Sequence, residues 1–200
     1  MKRRDLLAGL PAAAMLPFTL TAPANAQISR ADLTRITNYL NGIGTMQGTF
    51  VQVGPDGDLS EGTFYMRRPG RIRFEYNPPN PTLIIADGFW VAVYDTIDKT
   101  YDRFPLSETP LDLLLRDRVD LRQNKAVRSI ERTAGQLRVK AVDPSAPEQG
   151  SITMIFSSNP LELNQWIVID GQGLATTVAL SKVKRNVKLK NDLFFIYEPR

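Results

Sequence analysis

The sequence predicts a mainly β protein of the α+β class, built on an incomplete antiparallel β-barrel that two helices cover. Short strand-like segments follow one another at regular spacing from residue 45 onward, with turn residues between them. Only two stretches have the apolar spacing of a helix. A sheet of so many strands coils or closes, and the apolar concave face that results must be covered. The two helices are available to cover that face.

The first helix is predicted to begin after Ser29, which is a good N-cap residue with Asp32 three positions later. Its apolar stripe has the spacing i, i+3, i+7 and consists of Leu33, Ile36 and Leu40. Gly42 and Gly44 end it. This stripe fits either a helix packed on a core or a helix lying across a cavity mouth.

The second helix is predicted to begin at Thr109-Pro110, with the threonine as cap and the proline in the first helical position. Its apolar stripe consists of Leu111, Leu114 and Leu115.

Residues 62–76, GTFYMRRPGRIRFEY, predict a β-hairpin whose loop length decides which residues share a face. A two-residue loop would set apolar beside charged side chains. A three-residue loop, Arg68 to Gly70, gives the glycine the positive φ that such loops need and pairs Arg67 with Arg71. The side chains that then share one face are Phe64, Met66, Ile72 and Phe74. We prefer this register, which leaves Arg68 at the rim of an apolar surface.

The remaining strands are predicted on both sides of this hairpin. Asp87-Gly88 predicts a type I′ turn between Leu83–Ala86 and Phe89–Tyr94, with Ile85 facing Trp90 and Leu83 facing Ala92. The other predicted strands are Met46–Val53, Tyr101–Phe104, Ala126–Arg132, Gln136–Val142, Ser151–Phe156, Leu163–Ile169 and Leu174–Val183, with Leu193–Tyr197 as a last candidate.

Residues 1–26 have the features of a cleaved export signal, and residues 27–200 are predicted to form a single domain. Three basic residues precede an apolar run from Leu6 to Leu20, and Ala24-Asn25-Ala26 is a small-residue cleavage site. The run is too short and too broken by proline to favour a membrane span. We therefore expect cleavage after Ala26 and a periplasmic location. Arg3-Arg4 leaves Sec and twin-arginine export both open.

The composition limits the chemistry. The chain has no histidine and no cysteine, which argues against disulfides, thiol catalysis and the usual zinc sites. The acidic residues that could be searched for a catalytic carboxylate pair are Glu75, Asp87, Asp95, Asp98 and Asp102. Three of them sit at turns, where acids are common for local reasons. We expect no enzyme, no metal and no cofactor.

Charge gives no indication of nucleic-acid binding. The formal net charge is +4, and residues 1–26 contribute three bases and one acid, so the mature chain is only slightly basic. One modest basic cluster consists of Lys182, Lys184, Arg185, Lys188 and Lys190. It fits either a solvated strand and turn or a docking patch for a partner or for anionic lipid heads.

Several motifs together resemble the periplasmic outer-membrane lipoprotein carrier family, LolA. They are Gly48–Gln52 (GTFVQ), Gly62–Tyr76, Asp87-Gly88 and the helix start Thr109–Leu111. The resemblance spans nearly the whole mature chain. It implies an unclosed β-barrel with a helical lid over a hydrophobic cavity that takes the acyl chains of lipoproteins, and an arginine before the proline, here Arg68, that holds the lid shut.

The resemblance also implies which residues act. The cavity would be lined by Phe64, Met66, Ile72, Phe74, Tyr76, Leu83, Ile85 and Trp90, and the lid would be formed by Leu33, Ile36, Leu40, Leu111, Leu114 and Leu115. Ile72 is smaller than the large side chain typical of the family. The implied partners are acylated lipoproteins as cargo, an inner-membrane ABC-type releasing complex and an outer-membrane receptor lipoprotein, and a monomer suffices.

Two alternatives accompany this interpretation. A periplasmic lipid- or lipoprotein-sensing regulatory protein of similar half-barrel fold would bind the same ligand to report stress. Such a sensor would pull down an anti-sigma factor, whereas a carrier would pull down an inner-membrane transporter. Without the family resemblance, Arg68 would be read as a surface arginine paired with a nearby acid.

Overall fold

Eleven strands form one antiparallel sheet in the computed structural model, which describes residues 29–122 and 125–198. The strand order is β6-β5-β4-β3-β2-β1-β11-β10-β9-β8-β7. The strands are β1 Thr45–Val53, β2 Leu59–Arg67, β3 Arg71–Tyr76, β4 Thr82–Asp87, β5 Trp90–Asp95, β6 Thr100–Pro105, β7 Val127–Thr133, β8 Gln136–Ala141, β9 Gly150–Ser158, β10 Leu161–Asp170 and β11 Ala175–Arg185. The mainly β, antiparallel prediction is confirmed. The sheet does not close into a barrel, because β6 and β7 end it without pairing with each other.

Helix α1 spans Arg30–Asn41 and has the predicted ends. The Ser29 side chain accepts a hydrogen bond from the Asp32 backbone N–H at 3.4 Å, and Gly42 is the C-cap. The buried Asp32 carboxylate in turn accepts a hydrogen bond from Arg132 of β7 at 2.5 Å. This contact joins the start of α1 to the edge of the sheet.

Helix α2 is short, spanning Asp112–Leu115, and its predicted cap is wrong. The N-cap is Leu111, and the Thr109 hydroxyl donates to the Leu106 carbonyl at 2.8 Å instead of capping the helix. Leu106 begins a 3-10 turn, Leu106–Glu108, that precedes α2. Thr109 is used to close that turn, which leaves no side-chain cap for the helix that follows.

The β2–β3 hairpin has the predicted three-residue loop. Arg67 pairs with Arg71, and the next two pairs, Met66 with Ile72 and Phe64 with Phe74, place four apolar side chains on one face. Gly70 has φ +74°, and a Cβ there would lie 2.6 Å from the Cα of Gly88 in the neighbouring loop. The predicted register is confirmed.

The β4–β5 connection is longer than predicted. Leu83 pairs with Tyr94 rather than Ala92, and Ile85 pairs with Ala92 rather than Trp90. The Asp87 side chain accepts backbone hydrogen bonds from Phe89 and Trp90, each at 2.9 Å, and so stabilises a wider loop than a two-residue turn. The register therefore shifts by two residues, which leaves each side chain on its original face.

The C-terminal segment crosses the outer face of the sheet and is not a strand. It forms a 3-10 turn, Asp192–Phe194, and then an irregular stretch. Side chains of the sheet bind its backbone: the Arg67 guanidinium donates to the Leu189 carbonyl, and the Tyr94 hydroxyl exchanges two hydrogen bonds of 2.9 Å with Tyr197. These contacts replace the ladder that the predicted last strand would have made.

Within the described residues, no helix is both long and apolar enough to cross a membrane.

Candidate functional site: an arginine that joins two helices to the sheet

The inner face of the sheet is apolar and rich in aromatic rings. Phe74 lies at its centre, with ring centroids 5.0 Å from Phe50 and 6.2 Å from Trp166. Phe64, in the partner strand, is buried beside it. Edge-to-face contacts at these distances contribute about 0.5–1.5 kcal/mol per pair beyond the burial of the rings. The face is therefore a continuous hydrophobic surface.

Tyr76 lies at the margin of this surface. Its ring is 5.0 Å from Phe50, and its hydroxyl donates to the Gln52 side chain at 2.7 Å. Burial raises the pKa of Tyr76 to about 12.

Leucine and isoleucine side chains of both helices pack on the inner face. In α1 the buried residues include Ile36 and Leu40, and in α2 they include Leu114 and Leu115. All four are completely shielded from solvent and belong to the same hydrophobic cluster as Phe64 and Phe74. Burying each such side chain contributes about 1.5–3 kcal/mol. The helices thus cover the apolar surface.

Arg68 joins both helices to the hairpin loop. Its guanidinium donates one hydrogen bond to the Leu40 carbonyl in α1 and a second, at 2.6 Å, to the Arg116 carbonyl after α2. Carbonyls at a helix C-terminus lack the i+4 partner of the helix interior, and the Leu40 carbonyl, which also accepts the Ile43 N–H at 3.2 Å, has a second lone pair for Arg68. Two donors on one rigid, planar group can serve two carbonyls on different helices at once.

The loop backbone adds two more bonds. The Arg68 N–H donates to the carbonyl of Gly44, just before β1, at 3.0 Å, and the Gly70 N–H donates to the Leu115 carbonyl at 2.8 Å. The three-residue loop therefore holds the end of α2 at two carbonyls, and it holds the end of α1 through the Arg68 side chain alone.

Burial of the Arg68 guanidinium weakens its preference for the charged form. Burial lowers its pKa below the usual arginine value, and the nearby Asp117 carboxylate opposes this shift. The side chain remains charged, as arginine does in proteins. Its Nε is buried and has no hydrogen-bond partner among the described residues. The arginine is thus held in place at an energetic cost.

The family follows from a match over most of the chain. Residues 41–197 match the family model "Outer membrane lipoprotein carrier protein LolA". This chain belongs to the LolA family. It is 31% identical to the outer-membrane lipoprotein carrier protein of Pseudomonas paraeruginosa over 84% of each chain, and 29% identical to that of Pseudomonas aeruginosa over 86% of this chain and 88% of the relative.

A solved structure agrees with the fold of this LolA-family chain. It is a domain from Vibrio parahaemolyticus described as an outer membrane lipoprotein-sorting protein. The TM-score is 0.50 at 10% identity, over 81% of this chain and 94% of that one.

Some residues that the LolA resemblance assigns to the cavity do lie on the inner face, and three do not. Phe64, Met66, Ile72 and Phe74 are buried there. Leu83 and Ile85 lie on the outer face, in a smaller cluster with Tyr94 under the C-terminal segment. Trp90 also points outward, with the Arg103 guanidinium 4.5 Å from its ring centre. Placing these three in the cavity is wrong.

Strand pairing explains this correction. Phe74 is opposite Ile84, and Ile72 is opposite Ala86, so the even-numbered residues of β4 face inward. The irregular connection of residues 77–81 separates β3 from β4, so the hairpin register does not by itself determine which residues of β4 face inward. Trp166 of β10 was also missed, because no local signal connects it with a strand so distant in sequence.

Helix side chains cover the inner face in this conformation. Leu113 of α2 is buried in addition to Leu114 and Leu115, whereas Leu111 is only partly buried. Four grooves on the described residues have linings that include none of Phe64, Phe74 and Trp166. Side chains of both helices belong to the same buried cluster as these three residues, so the expected cavity stays a prediction.

Among the described residues, no group of three or more acidic side chains is placed to hold a metal ion.

Proposed function

We propose that this LolA-family chain is a periplasmic carrier, which binds the acyl chains of lipoproteins released from the inner membrane and delivers them to the outer membrane. The observation that carries the proposal is the apolar inner face, covered by two short helices that one arginine ties to the sheet. This face can bind an acyl chain only if the chain replaces the helix side chains that cover it.

The energetics of a lipid chain in water require a shielded site. Each CH₂ group removed from water contributes about 0.8 kcal/mol, so exposing one long acyl chain costs on the order of 10 kcal/mol. A lipoprotein cannot cross an aqueous gap with its acyl chains exposed. The aromatic inner face would shield them.

The covering helices would compete with the cargo for this face. Without cargo, the leucines of α1 and α2 are buried on it. Cargo must displace them, so the free energy of binding is the difference between two burial terms. That difference keeps the affinity low enough for onward transfer.

Arg68 would act as a lock on the closed state. Its two hydrogen bonds exist only while the ends of α1 and α2 lie against the loop. These hydrogen bonds favour the closed state and therefore the release of cargo, although Arg68 itself would not contact the cargo.

The proposal includes an export signal cleaved after Ala26 and a single carrier domain from residue 27 to 200. The partners would be acylated lipoproteins, an inner-membrane ABC-type lipoprotein-releasing complex and an outer-membrane receptor lipoprotein. A monomer can do this work, and no catalytic step is needed.

Mass spectrometry of the protein purified gently from periplasm tests the proposal. We expect co-purified lipoprotein, or lipid with acyl chains, released when the protein is unfolded. A preparation free of lipid that also fails to bind a fluorescent fatty-acid probe would contradict it. Recovery of an anti-sigma factor, in place of an inner-membrane transporter, in a pull-down would favour the sensor alternative.

A further inference from the structure

The two ends of the sheet differ in charge. One end contains the β2–β3 loop, together with the start of β1 and the end of β11, because these strands are neighbours in register. Five exposed cations lie at this end, on β11 and the segment that follows it: Lys182, Lys184, Arg185, Lys188 and Lys190. We call this end the basic rim.

The segment after β11 stays at the basic rim. The Thr45 hydroxyl donates to the Val187 carbonyl at 2.7 Å, and Arg67 donates to the Leu189 carbonyl. Thr45 begins β1 and Arg67 ends β2, so the two lysines that flank Leu189 are held beside the ends of these strands. The exposed side chains of Arg71 and Arg103 extend the positive charge toward β6.

The acids at the basic rim are fewer. They are Asp87, Glu108 and Asp192, with Asp117 near the Arg68 guanidinium and Glu162 at the start of the neighbouring β10. The seven exposed cations named above outnumber these five acids, so the rim keeps a net positive charge.

The opposite end of the sheet is acidic. Its turns contain four exposed acids, Asp56, Asp58, Asp98 and Glu148. Asp95, Asp143 and Asp170 lie at the same end, and Lys99 and Lys125 are cations there. The charge is thus separated along the strand direction, which orients a molecule in the field of a charged surface.

Two exposed phenylalanines accompany the cations. Phe89, at the tip of the β4–β5 loop, is 81% exposed, and Phe195 is 61% exposed. Phe195 and Arg71 line one groove of about 340 Å³ at this end. Five strand spacings separate β5 from β11, so cations and aromatic rings extend over about 24 Å of the rim.

We propose that the basic rim docks on a membrane surface that contains anionic phospholipid. Lysine and arginine side chains are attracted to the negative surface potential, and exposed aromatic rings insert at the interface between headgroups and acyl chains. The acidic end would then point away from the membrane. Docking in this orientation brings the Arg68 loop to the lipid surface, and it does not depend on whether the inner face carries cargo.

Vesicle flotation of the mature chain tests this proposal. We expect binding to vesicles that contain phosphatidylglycerol, little binding to neutral phosphatidylcholine vesicles, and release as ionic strength rises from about 0.01 to 0.15 M, where the Debye length falls from about 30 to 8 Å. No binding at low salt, or equal binding to neutral vesicles, would overturn it. An acidic protein partner would then be the occupant of the rim.

Two variants with matched controls locate the surface. Each cation at a membrane surface contributes about a five-fold factor, so the triple variant Lys184→Gln, Lys188→Gln, Lys190→Gln should bind about 100-fold more weakly. Phe89→Ser should lose about ten-fold.

The controls are changes of the same kind away from the rim. Ile97→Ser removes a side chain that is 72% exposed on a loop at the acidic end, and Arg128→Gln removes an exposed cation on β7. Both should bind as the unsubstituted protein does. Equal losses in the controls and the rim variants would overturn the assignment, and circular dichroism checks that all variants are folded.

Discussion

Replacing Arg68 with leucine should strengthen cargo binding and impair cargo release. The substitution removes two hydrogen bonds from a charged group to the carbonyls of Leu40 and Arg116. Each is worth about 1.5–3 kcal/mol, and the unpartnered buried Nε offsets about 1–3 kcal/mol. Taking the middle of each range, we expect the closed state to lose about 2–3 kcal/mol.

Because cargo competes with the closed state, this loss appears as a gain in affinity. A change of 2–3 kcal/mol corresponds to about 30- to 150-fold tighter binding where the closed state predominates without cargo. Titration with a fluorescent fatty-acid probe measures the change. Transfer of a fluorescent acylated peptide from the loaded protein to acceptor membranes should be slow.

Two further variants sharpen the experiment. Arg68→Lys keeps the charge but cannot serve two carbonyls with one planar fork, so it should lie between the unsubstituted protein and Arg68→Leu. Arg128→Leu makes the same change at an exposed position on β7 and should have no effect. Normal delivery by Arg68→Leu, with an unchanged probe affinity, would refute the lock.

Three other predictions concern stability. Phe64→Ala should reduce the free energy of unfolding by about 3–5 kcal/mol, because it opens a cavity in the buried aromatic cluster; a urea titration that shows less than about 1 kcal/mol would contradict this. Gly70→Ala should destabilise the protein by more than about 1 kcal/mol in the same titration, since φ is +74° and the new Cβ would meet the Gly88 backbone. The matched control is Gly57→Ala, which is also at positive φ but whose Cβ meets nothing within 4 Å, so it should destabilise less. Equal losses in the two variants would contradict the role of the Gly88 contact. Hydrogen bonds from Ser145, and then from Arg116, lower the pKa of Asp143 to about 2, so its contribution is present above about pH 4 and is lost as pH falls through about 2. Asp143→Asn should flatten that part of the acid-unfolding curve, and an identical curve would exclude the contribution.

The hairpin register was predictable because local geometry determines it. A three-residue loop with glycine at positive φ leaves one way to pair Arg67 with Arg71, and the inner face follows from that pair. The N-cap of α1 is likewise a short-range signal. Such features depend on neighbours in sequence.

The faces of β4 were not predictable by the same means. Leu83, Ile84, Ile85 and Ala86 form an unbroken apolar run, because the C-terminal segment covers the outer face while the inner face is also buried. A strand that is buried on both faces has no alternation of apolar and polar residues, so its sequence does not indicate which side chains face inward. The C-terminal segment itself is bound by side chains distant in sequence, such as Tyr94, and not by a ladder.

The sequence predicts that Arg68 lies at the rim of the apolar surface, but it does not predict that the Leu40 and Arg116 carbonyls accept its hydrogen bonds. Which carbonyls it meets depends on where two helices end in space, and α2 proved shorter than its leucine stripe indicated.

The open sheet has two edge strands, β6 and β7, whose outer backbone N–H and C=O groups have no strand partner among the described residues and could pair with another copy of the chain. The residues of both edge strands disfavour such pairing. β6 presents Asp102 and Arg103 and ends in Pro105, while β7 is interrupted by a bulge and exposes Glu131. A carrier that opens a hydrophobic face, as we propose for this chain, would be prone to fibre formation if its edge strands could pair, and these charges, the proline and the bulge disfavour that pairing.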